Sequence, residues 1–194
     1  PIYDEIYRIC VSGSHAKENP FQQYLDFLYE LGELSEDEQK LYAGIGREFI
    51  QTIETTEMQK VYKMPILYSF YNHGNIRLAV TDEEVLESWK EFFDTGTNWK
   101  DFPNVNTYED YKKVTDKQHL SKAKRMPIRF LKASGKGFFV EKDGYALALR
   151  DEIGEVVGNM AFGEQMGDVL GYRSLEYYRR RYEKADEIGD RKKD

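Results

Sequence analysis

Apolar residues of this chain recur mainly at spacings of three and four, and this periodicity restricts the fold more than any other feature. Such a spacing places side chains on one stripe of an α-helix. The first stripe ends at Gly32, a residue that commonly terminates helices, and comprises Phe21, Tyr24, Leu25, Leu28 and Leu31. Similar stripes recur to the end of the chain, the last of them running from Phe162 to Tyr182. The pattern predicts a mainly helical protein of the α+β class.

Two capping boxes mark helix starts within this pattern. Ser35 with Glu38, and Thr81 with Glu84, each pair a hydroxyl with a carboxylate three residues later, so that each side chain can satisfy the other residue's free amide. The first box predicts a helix with Leu41, Ile45 and Phe49 on its inner face. The second predicts a helix after a short strand over Ile76 to Val80, with an inner face formed by Val85, Leu86, Trp89, Phe92 and Phe93.

The segment "RMPIRFLKASGKGFFVEKDGYALALR" (125–150) changes period halfway. Met126 to Ser134 predicts a short helix, whereas Phe138 to Val140 and Tyr145 to Leu149 predict two strands around a turn at 141–144. A helix pair over 108–125, this short helix and the hairpin follow one another in the order of a winged-helix domain. We therefore expect a helical bundle with a winged-helix-like unit in its second half, a small α+β core without such a role being the alternative.

The turn-rich stretch "DTGTNWKDFPNVN" (94–106) interrupts the helical periodicity. It predicts a boundary near residue 100, with a helical part over 1–100, a winged-helix-like part with a C-terminal helix over 101–188, and a frayed tail over 189–194. "KMPI" (63–66) and "RMPI" (125–128) are nearly identical and each precedes a glycine and strand-forming residues, which hints at two related units. Because the first residue is Pro1, we expect the chain to be part of a larger protein.

Charge is distributed unevenly along the chain. The formal net charge is −7, which argues against a uniformly cationic coat, and residues 1–60 are strongly acidic. Residues 111–137, by contrast, contain nine basic side chains and Asp116 as the only acid: Lys112, Lys113, Lys117, Lys122, Lys124, Arg125, Arg129, Lys132 and Lys136. A local excess of this kind is typical of a surface that binds a phosphate backbone, the alternative being a solvated helix face.

From this pattern we predict a nucleic-acid-binding surface. Its candidate residues lie on the helices before the hairpin, at the hairpin itself and in a second basic cluster at 173–181: Lys122, Lys124, Arg125, Arg129, Lys132, Lys136, Lys142, Arg179 and Arg180. Because Pro127 to Ser134 would give only about two helical turns, we expect contact with the nucleic-acid backbone and not readout of base sequence.

Most aromatic residues lie at helical spacing and predict a buried core. Phe138 and Phe139 are adjacent in a strand, so one ring must leave the core unless both faces are covered; it would then stack on a base or pack against the terminal helix.

No catalytic constellation is found in the sequence. "HAK" at 15–17 begins like a phospholipase-D signature, but Gln22 stands where that signature needs an acid, and "HGN" at 73–75 lacks the metal-binding histidines of an HNH nuclease. Glu141, Lys142 and Asp143 lie in a turn, where they splay into solvent. We expect no catalysis, no metal site and no cofactor.

Cys10 is the only cysteine, which excludes an internal disulfide and favours a reducing, cytoplasmic setting. No apolar run approaches the length of a membrane span.

Three segments, "KMPILYSFYNHGNIRLAVTDEEVLESWKEFF", "SKAKRMPIRFLKASGKGFF" and "GYRSLEYYRRR", resemble the C-terminal region of bacterial DEAD/DEAH-box helicases related to the restriction subunits of type III and type I systems. The likeness covers roughly residues 60–182 and includes no helicase motif. It implies an accessory domain whose parent protein hydrolyses ATP, with any cleavage carried out elsewhere on that polypeptide.

Together these features predict a non-catalytic nucleic-acid-binding accessory domain of a restriction- or defence-type DNA helicase. Its expected partners are DNA, contacted through the backbone, and the remaining domains of the parent helicase, without a membrane. The alternative is a protein–protein docking module that joins the helicase to partner subunits or to its own motor domain, with the acidic first 60 residues as a contact surface.

Overall fold

The computed structural model describes residues 22–190, and the side chains of this part up to Arg181. Cys10, His15 and Phe21 lie outside the described residues, as do 191–194 of the predicted tail. Within the described part the chain is mainly helical with two small antiparallel sheets. The α-helices are α1 (Tyr24–Leu31), α2 (Glu36–Ala43), α3 (Ile45–Thr55), α4 (Lys63–Phe70), α5 (Asp82–Asp94), α6 (Tyr108–Lys112), α7 (Asp116–Ala123), α8 (Arg129–Ser134) and α9 (Met160–Asp190). The strands are β1 (Tyr71–Asn72), β2 (Asn75–Ile76), β3 (Ala79–Val80), β4 (Phe139–Val140) and β5 (Leu147–Leu149).

Several helix ends follow the signals in the sequence, but the helix predicted to contain Leu41, Ile45 and Phe49 is divided at Gly44 into α2 and α3. α1 ends at Gly32 with φ of 72°, and both predicted capping boxes are confirmed: Ser35 caps α2 and Thr81 caps α5, each with reciprocal hydrogen bonds to the glutamate three residues on. Helix α4 ends at Phe70, and the chain continues directly into the β1–β2 hairpin. His73 and Gly74 both have positive φ, 48° and 88°, and form the two-residue turn of the β1–β2 hairpin.

The short helix predicted over Met126 to Ser134 is not separate from the helix that precedes it. The backbone is helical without interruption from Asp116 to Ser134, because a π-helical segment (Lys124–Ile128) joins α7 to α8. Pro127 lies within this segment. Its ring would clash with the carbonyl of Ala123 in a regular α-helix and it has no N–H to donate, and the wider π turn accommodates both defects. The basic helix is therefore much longer than two turns.

The predicted hairpin is present, with shorter strands than expected. β4 pairs with β5 in antiparallel fashion, Phe139 opposite Leu149 and Val140 opposite Ala148, and Gly144 in the connection has φ of 83°. β5 also pairs with β3, so the strand order is β3-β5-β4 and the hairpin is joined to a strand much earlier in the chain, Ala79 opposite Ala148. The strand predicted over Ile76 to Val80 is thus divided between the two sheets.

One hydrophobic core extends through all these elements. Phe49 of α3 is at its centre, with ring centroids 5.4 Å from Phe138, 6.1 Å from Phe139 and 5.6 Å from Phe162 of α9. Both rings of the Phe-Phe pair are buried, at 1% and 4% exposure. Phe138 lies just before β4, and both rings contact Phe49. This burial confirms packing and excludes base stacking by this pair. The core includes residues on both sides of position 100, and the division of the chain near that position stays a prediction.

α9 packs closely against the β1–β2 hairpin. A Cβ atom placed on Gly163 would lie 2.4 Å from the carbonyl oxygen of Gly74, whereas one placed on Gly171 of the same helix would meet nothing within 4 Å. The absence of a side chain at Gly163 therefore lets helix and hairpin touch through their backbones.

A buried carboxyl group lies where α3 meets α1. Glu54 is 2% exposed and its Oε1 accepts a hydrogen bond from the backbone N–H of Tyr24, at 3.1 Å. Desolvation raises the pKa of Glu54 to about 8, with a smaller contribution from Asp26 in the same direction, while the Tyr24 N–H and Arg173 lower it. The group is consequently protonated in the folded protein at pH values where it ionises in the unfolded chain.

Replacing Gly163→Ala is expected to lower stability by about 1 to 3 kcal/mol, because the new methyl group must displace backbone. Gly171→Ala is the matched control and should raise stability by about 0.5 to 1 kcal/mol through helix propensity. Thermal unfolding followed by circular dichroism measures both changes. Equal melting temperatures for the two variants would contradict the close contact.

Glu54→Gln tests the buried carboxyl group. Because the folded-state pKa lies above that of the unfolded chain, Glu54 contributes stability below pH 4.5 that is lost progressively up to about pH 8. A shift of this size corresponds to at most about 5 kcal/mol. Urea unfolding at pH 5 and pH 8.5 should therefore show that the free energy of unfolding declines less for the glutamine variant than for the wild type. An equal decline in both proteins would contradict burial of the carboxyl group.

Candidate nucleic-acid interface

The basic segment forms the outer side of the α7–α8 helix. The inner side of this helix contributes Ala123, Ile128 and Leu131 to the core. Their burial fixes the rotation of the helix about its own axis. Exposed or half-buried basic side chains lie along the other side. This orientation follows from the helical spacing of the apolar positions.

Four of the nine basic side chains of 111–137 are in ion pairs. Lys112 pairs with Glu109 (2.6 Å) and Lys113 with Asp110 (3.7 Å) within α6, Lys124 pairs with Asp82 of α5 (2.6 Å), and Lys132 pairs with Glu141 in the hairpin. These acids lie on α5, on α6 and in the β4–β5 connection, and not on the helices α1 to α3. Each pair is at least partly exposed, so it contributes little to stability, but it reduces the positive charge available to a ligand. Of the predicted interface residues, Lys124 and Lys132 are in this group.

Five basic side chains have no acidic partner among residues 22–181: Lys117, Lys122, Arg125, Arg129 and Lys136. The first four lie on successive turns of the α7–α8 helix, and we call them the basic face. Lys136, which has φ of 49°, follows α8.

Within the basic face, Lys122 and Arg125 affect each other electrostatically. Partial burial lowers the pKa of Lys122, and the charge of Arg125 lowers it further. The Lys122 ammonium lies 5.2 Å from the ring centroid of Tyr62 and 3.2 Å from the sulfur of Met126, neither of which neutralises it. Like charges held together in this way favour a bound anion.

A groove runs along the basic face from Lys117 to Arg125. Its volume is about 630 Å³, and it is bounded on one side by α7 and the π segment and on the other by 102–105 and the end of α6. Its basic residues are Lys113, Lys117, Lys122 and Arg125, and Asp110, the partner of Lys113, is its single acid. Its apolar residues include Val105, Val114 and Met126, and its uncharged polar ones are Asn104, Gln118 and Ser121.

The hairpin holds a further predicted residue. Lys142 is exposed in the connection between β4 and β5, with its ammonium 5.6 Å from the ring centroid of Tyr145. Neither Lys136 nor Lys142 borders the groove. The structure therefore brings Lys122 and Arg125 together in the groove, with Arg129 on the next turn, and places Lys136 and Lys142 at the hairpin end.

The second predicted basic cluster is not a single outward patch. Arg173 is 8% exposed and donates to Glu176 and to the carbonyl of Thr56, and Arg181 pairs with the buried Asp101. Arg180 pairs with Glu176 at 3.5 Å, and Arg179, like Arg180, is half-buried on α9. Neither Arg179 nor Arg180 borders the groove.

The two histidines in the described part of the chain have different surroundings. His73 is exposed in a turn, and His119 is buried at 2% exposure between the rings of Phe102 and Tyr111. Glu141 and Asp143 are exposed in the hairpin connection. The described residues include no group of three or more His, Cys, Asp or Glu side chains that could hold a metal ion.

Reasoning from the sequence missed the groove and underrated Lys117. One wall of the groove could be seen in the sequence. Lys117, Ser121 and Arg125 follow one another at intervals of four residues, as do Gln118, Lys122 and Met126, and this spacing places each set on one side of a helix. The facing wall comes from the turn-rich segment, whose position no periodicity reveals.

A family-model scan, a search of curated proteins and a search of solved structures each found no match to the chain. In the described part, no helix is both long enough and apolar enough to cross a lipid bilayer.

The electrostatic link between Lys122 and Arg125 can be measured directly. The Lys122 amine is expected to titrate below an ordinary lysine, and Arg125→Gln should raise its pKa because one of the two causes of the shift is removed. Arg129→Gln is the control and should leave the pKa of Lys122 unchanged. Side-chain NMR titration of the lysine Nζ groups provides the readout. An ordinary or raised pKa for Lys122 in the wild type would contradict this arrangement.

Proposed function

We propose that this chain is a non-catalytic module that binds the phosphate backbone of nucleic acid through the basic face. The observation that carries the proposal is that Lys117, Lys122, Arg125 and Arg129 lie along one helix without an acidic partner among the described residues. A protein of net charge −7 has enough acids to neutralise them. Phosphate groups spaced along a strand are the ligand that a row of this kind suits.

The proposed architecture is winged-helix-like. In support, helix α4 precedes β3, α5 and the α7–α8 helix follow, and β4 and β5 close a sheet of order β3-β5-β4. In such a domain the last helix before the hairpin faces the nucleic acid and the hairpin contacts the flanking backbone. Arg129 would lie on that helix, and Lys136 and Lys142 would lie at the hairpin.

The resemblance of 60–182 to the C-terminal region of restriction-type DEAD/DEAH-box helicases suggests the setting. We propose that the module holds DNA beside an ATP-dependent motor elsewhere on the same polypeptide, in the cytoplasm and without a cofactor of its own. Contacts confined to phosphates would let a strand slide, since they carry no sequence information.

A docking module is the second candidate, and one observation favours it. Met160 and Leu175 of α9 are 73% and 67% exposed. Packing of α9 against another domain would bury both side chains. A pull-down with the remaining parent protein tests it: capture by that protein, together with no affinity for nucleic acid, would favour docking over the first proposal.

The first proposal predicts binding that weakens steeply with salt. Four neutralised phosphates correspond to a log–log slope of about −3 to −4. The double variant Lys117→Glu/Arg125→Glu should bind at least about tenfold more weakly at low salt and show a slope smaller by about 1.5. Fluorescence anisotropy with labelled single-stranded and double-stranded oligonucleotides measures both quantities.

Lys40→Glu/Arg47→Glu is the matched control, because it changes the net charge equally on α2 and α3. It should retain most of the affinity, since those cations lie away from the basic face and are paired with Asp37 and Asp26. No binding by the wild type at roughly 50 mM salt, or an equal loss in both double variants, would overturn the proposal.

A further inference from the structure

The groove differs from the rest of the basic face in shape. It is a concavity of about 630 Å³, within the range of about 300 to 1,000 Å³ found for small-ligand pockets. A DNA duplex presents a convex, paired surface and can only bridge such a concavity. An unpaired nucleotide, with its base turned away from the strand, can enter it.

The chemistry of the groove matches the parts of a nucleotide. Lys117, Lys122 and Arg125 supply positive charge for a phosphate, while Val105 and Met126 supply apolar surface for the faces of a base. Gln118 and Ser121 add uncharged hydrogen-bonding groups that can meet base edges.

The Gln118 amide has a donor to spare. Its Oε1 accepts from the backbone N–H of Thr115 at 2.8 Å and from the Thr115 hydroxyl at 2.9 Å, as part of the capping box of α7. For its Nε2 the described part of the chain offers no hydrogen-bond partner. The capping box therefore fixes the side chain and leaves both amide hydrogens for a ligand.

Arg129 extends the positive charge past the end of the groove. It lies one turn beyond Arg125 and its guanidinium is 5.1 Å from the ring centroid of Phe130, which is 43% exposed. A ligand that extends from the groove along the helix can thus contact both the Arg129 guanidinium and the Phe130 ring. A strand of nucleic acid repeats phosphate and base at each step and suits this continuation, which distinguishes it from an isolated anion.

We infer that the groove between the 102–105 segment and α7 accepts one unpaired nucleotide, so that the module binds single-stranded nucleic acid, or a duplex with an overhang, in preference to blunt duplex. This inference rests on the proposed function and deepens it. The phosphates on either side of that nucleotide contact the basic face. The class of ligand is an unpaired polynucleotide, and both DNA and RNA strands belong to it.

Filling the groove without changing its charge tests the inference. Ser121→Trp places an indole in the groove, and Leu175→Trp is the control, because it adds an indole at an exposed helical position on α9. Anisotropy titrations would use an oligothymidylate of about 12 nucleotides, a blunt duplex, and the same duplex with a single-stranded overhang. Met126→Ala is a second, milder variant that removes apolar surface, and thermal unfolding verifies that each variant is folded.

The wild type is expected to bind the single strand and the overhang at least about tenfold more tightly than the blunt duplex. Ser121→Trp should abolish that preference by weakening the binding of the single strand and of the overhang, Met126→Ala should reduce it, and Leu175→Trp should preserve it. Equal wild-type affinity for all three ligands, or a preference that survives in Ser121→Trp, would overturn the inference while the proposed function stands. Absence of binding to every oligonucleotide would instead overturn the proposed function.

An acidic, apolar peptide is the competing occupant. A peptide of alternating Glu and Leu, titrated in the same assay, should not displace the oligonucleotide at comparable concentrations. If that peptide binds the wild type but not Ser121→Trp, while the oligonucleotides show no preference, the groove is a peptide-docking site and the inference is wrong.

Discussion

The contact of Phe49 with the paired rings of Phe138 and Phe139 holds the rest of the structure together. The centroids of these rings lie 5.4 and 6.1 Å from that of Phe49, and Phe162 of α9 completes the group at 5.6 Å. Large buried aromatic side chains contribute more apolar area than any others, so this group joins the N-terminal helices, the hairpin and the terminal helix into one core. β5 adds backbone hydrogen bonds to β3 on one side and β4 on the other. These contacts hold the β4–β5 hairpin against the core. They also hold the preceding α7–α8 helix in place, with its basic side facing solvent.

Much of the fold could be predicted because its signals are local. The end of α1 at Gly32, both capping boxes and the positive φ of Gly144 each depend on a few neighbouring residues. The errors arose where tertiary structure overrides a local rule. The short helix predicted over Met126 to Ser134 is the end of a longer helix, because a π turn carries the backbone past Pro127. For Phe138 and Phe139 the sequence left open whether one ring faces outward, and the tertiary structure buries both.

The candidate site could be predicted less completely than the fold. The excess of positive charge over 111–137 is visible in the sequence, but its distribution between paired and unpaired side chains is not. Lys124 is paired with Asp82, which is 42 residues away in the sequence, and Lys132 is paired with Glu141 in the hairpin connection. Lys117, which is not among the predicted interface residues, lines the groove. A net charge of −7 is compatible with such a site because salt screens charges farther apart than about 10 Å, and a bound phosphate senses mainly its immediate neighbours.

The central claim is that the α7–α8 helix, with the groove beside it, is the surface that meets nucleic acid. Backbone amide NMR shifts of the whole chain, recorded during titration with a short single-stranded oligonucleotide, test it most directly. The account predicts that the largest changes cluster at 104–105, 113–129 and the hairpin connection, and diminish together as salt is added. Changes centred instead on α9 or on the acidic groove that contains Glu87 and Glu91, with the 113–129 amides unmoved, would contradict it.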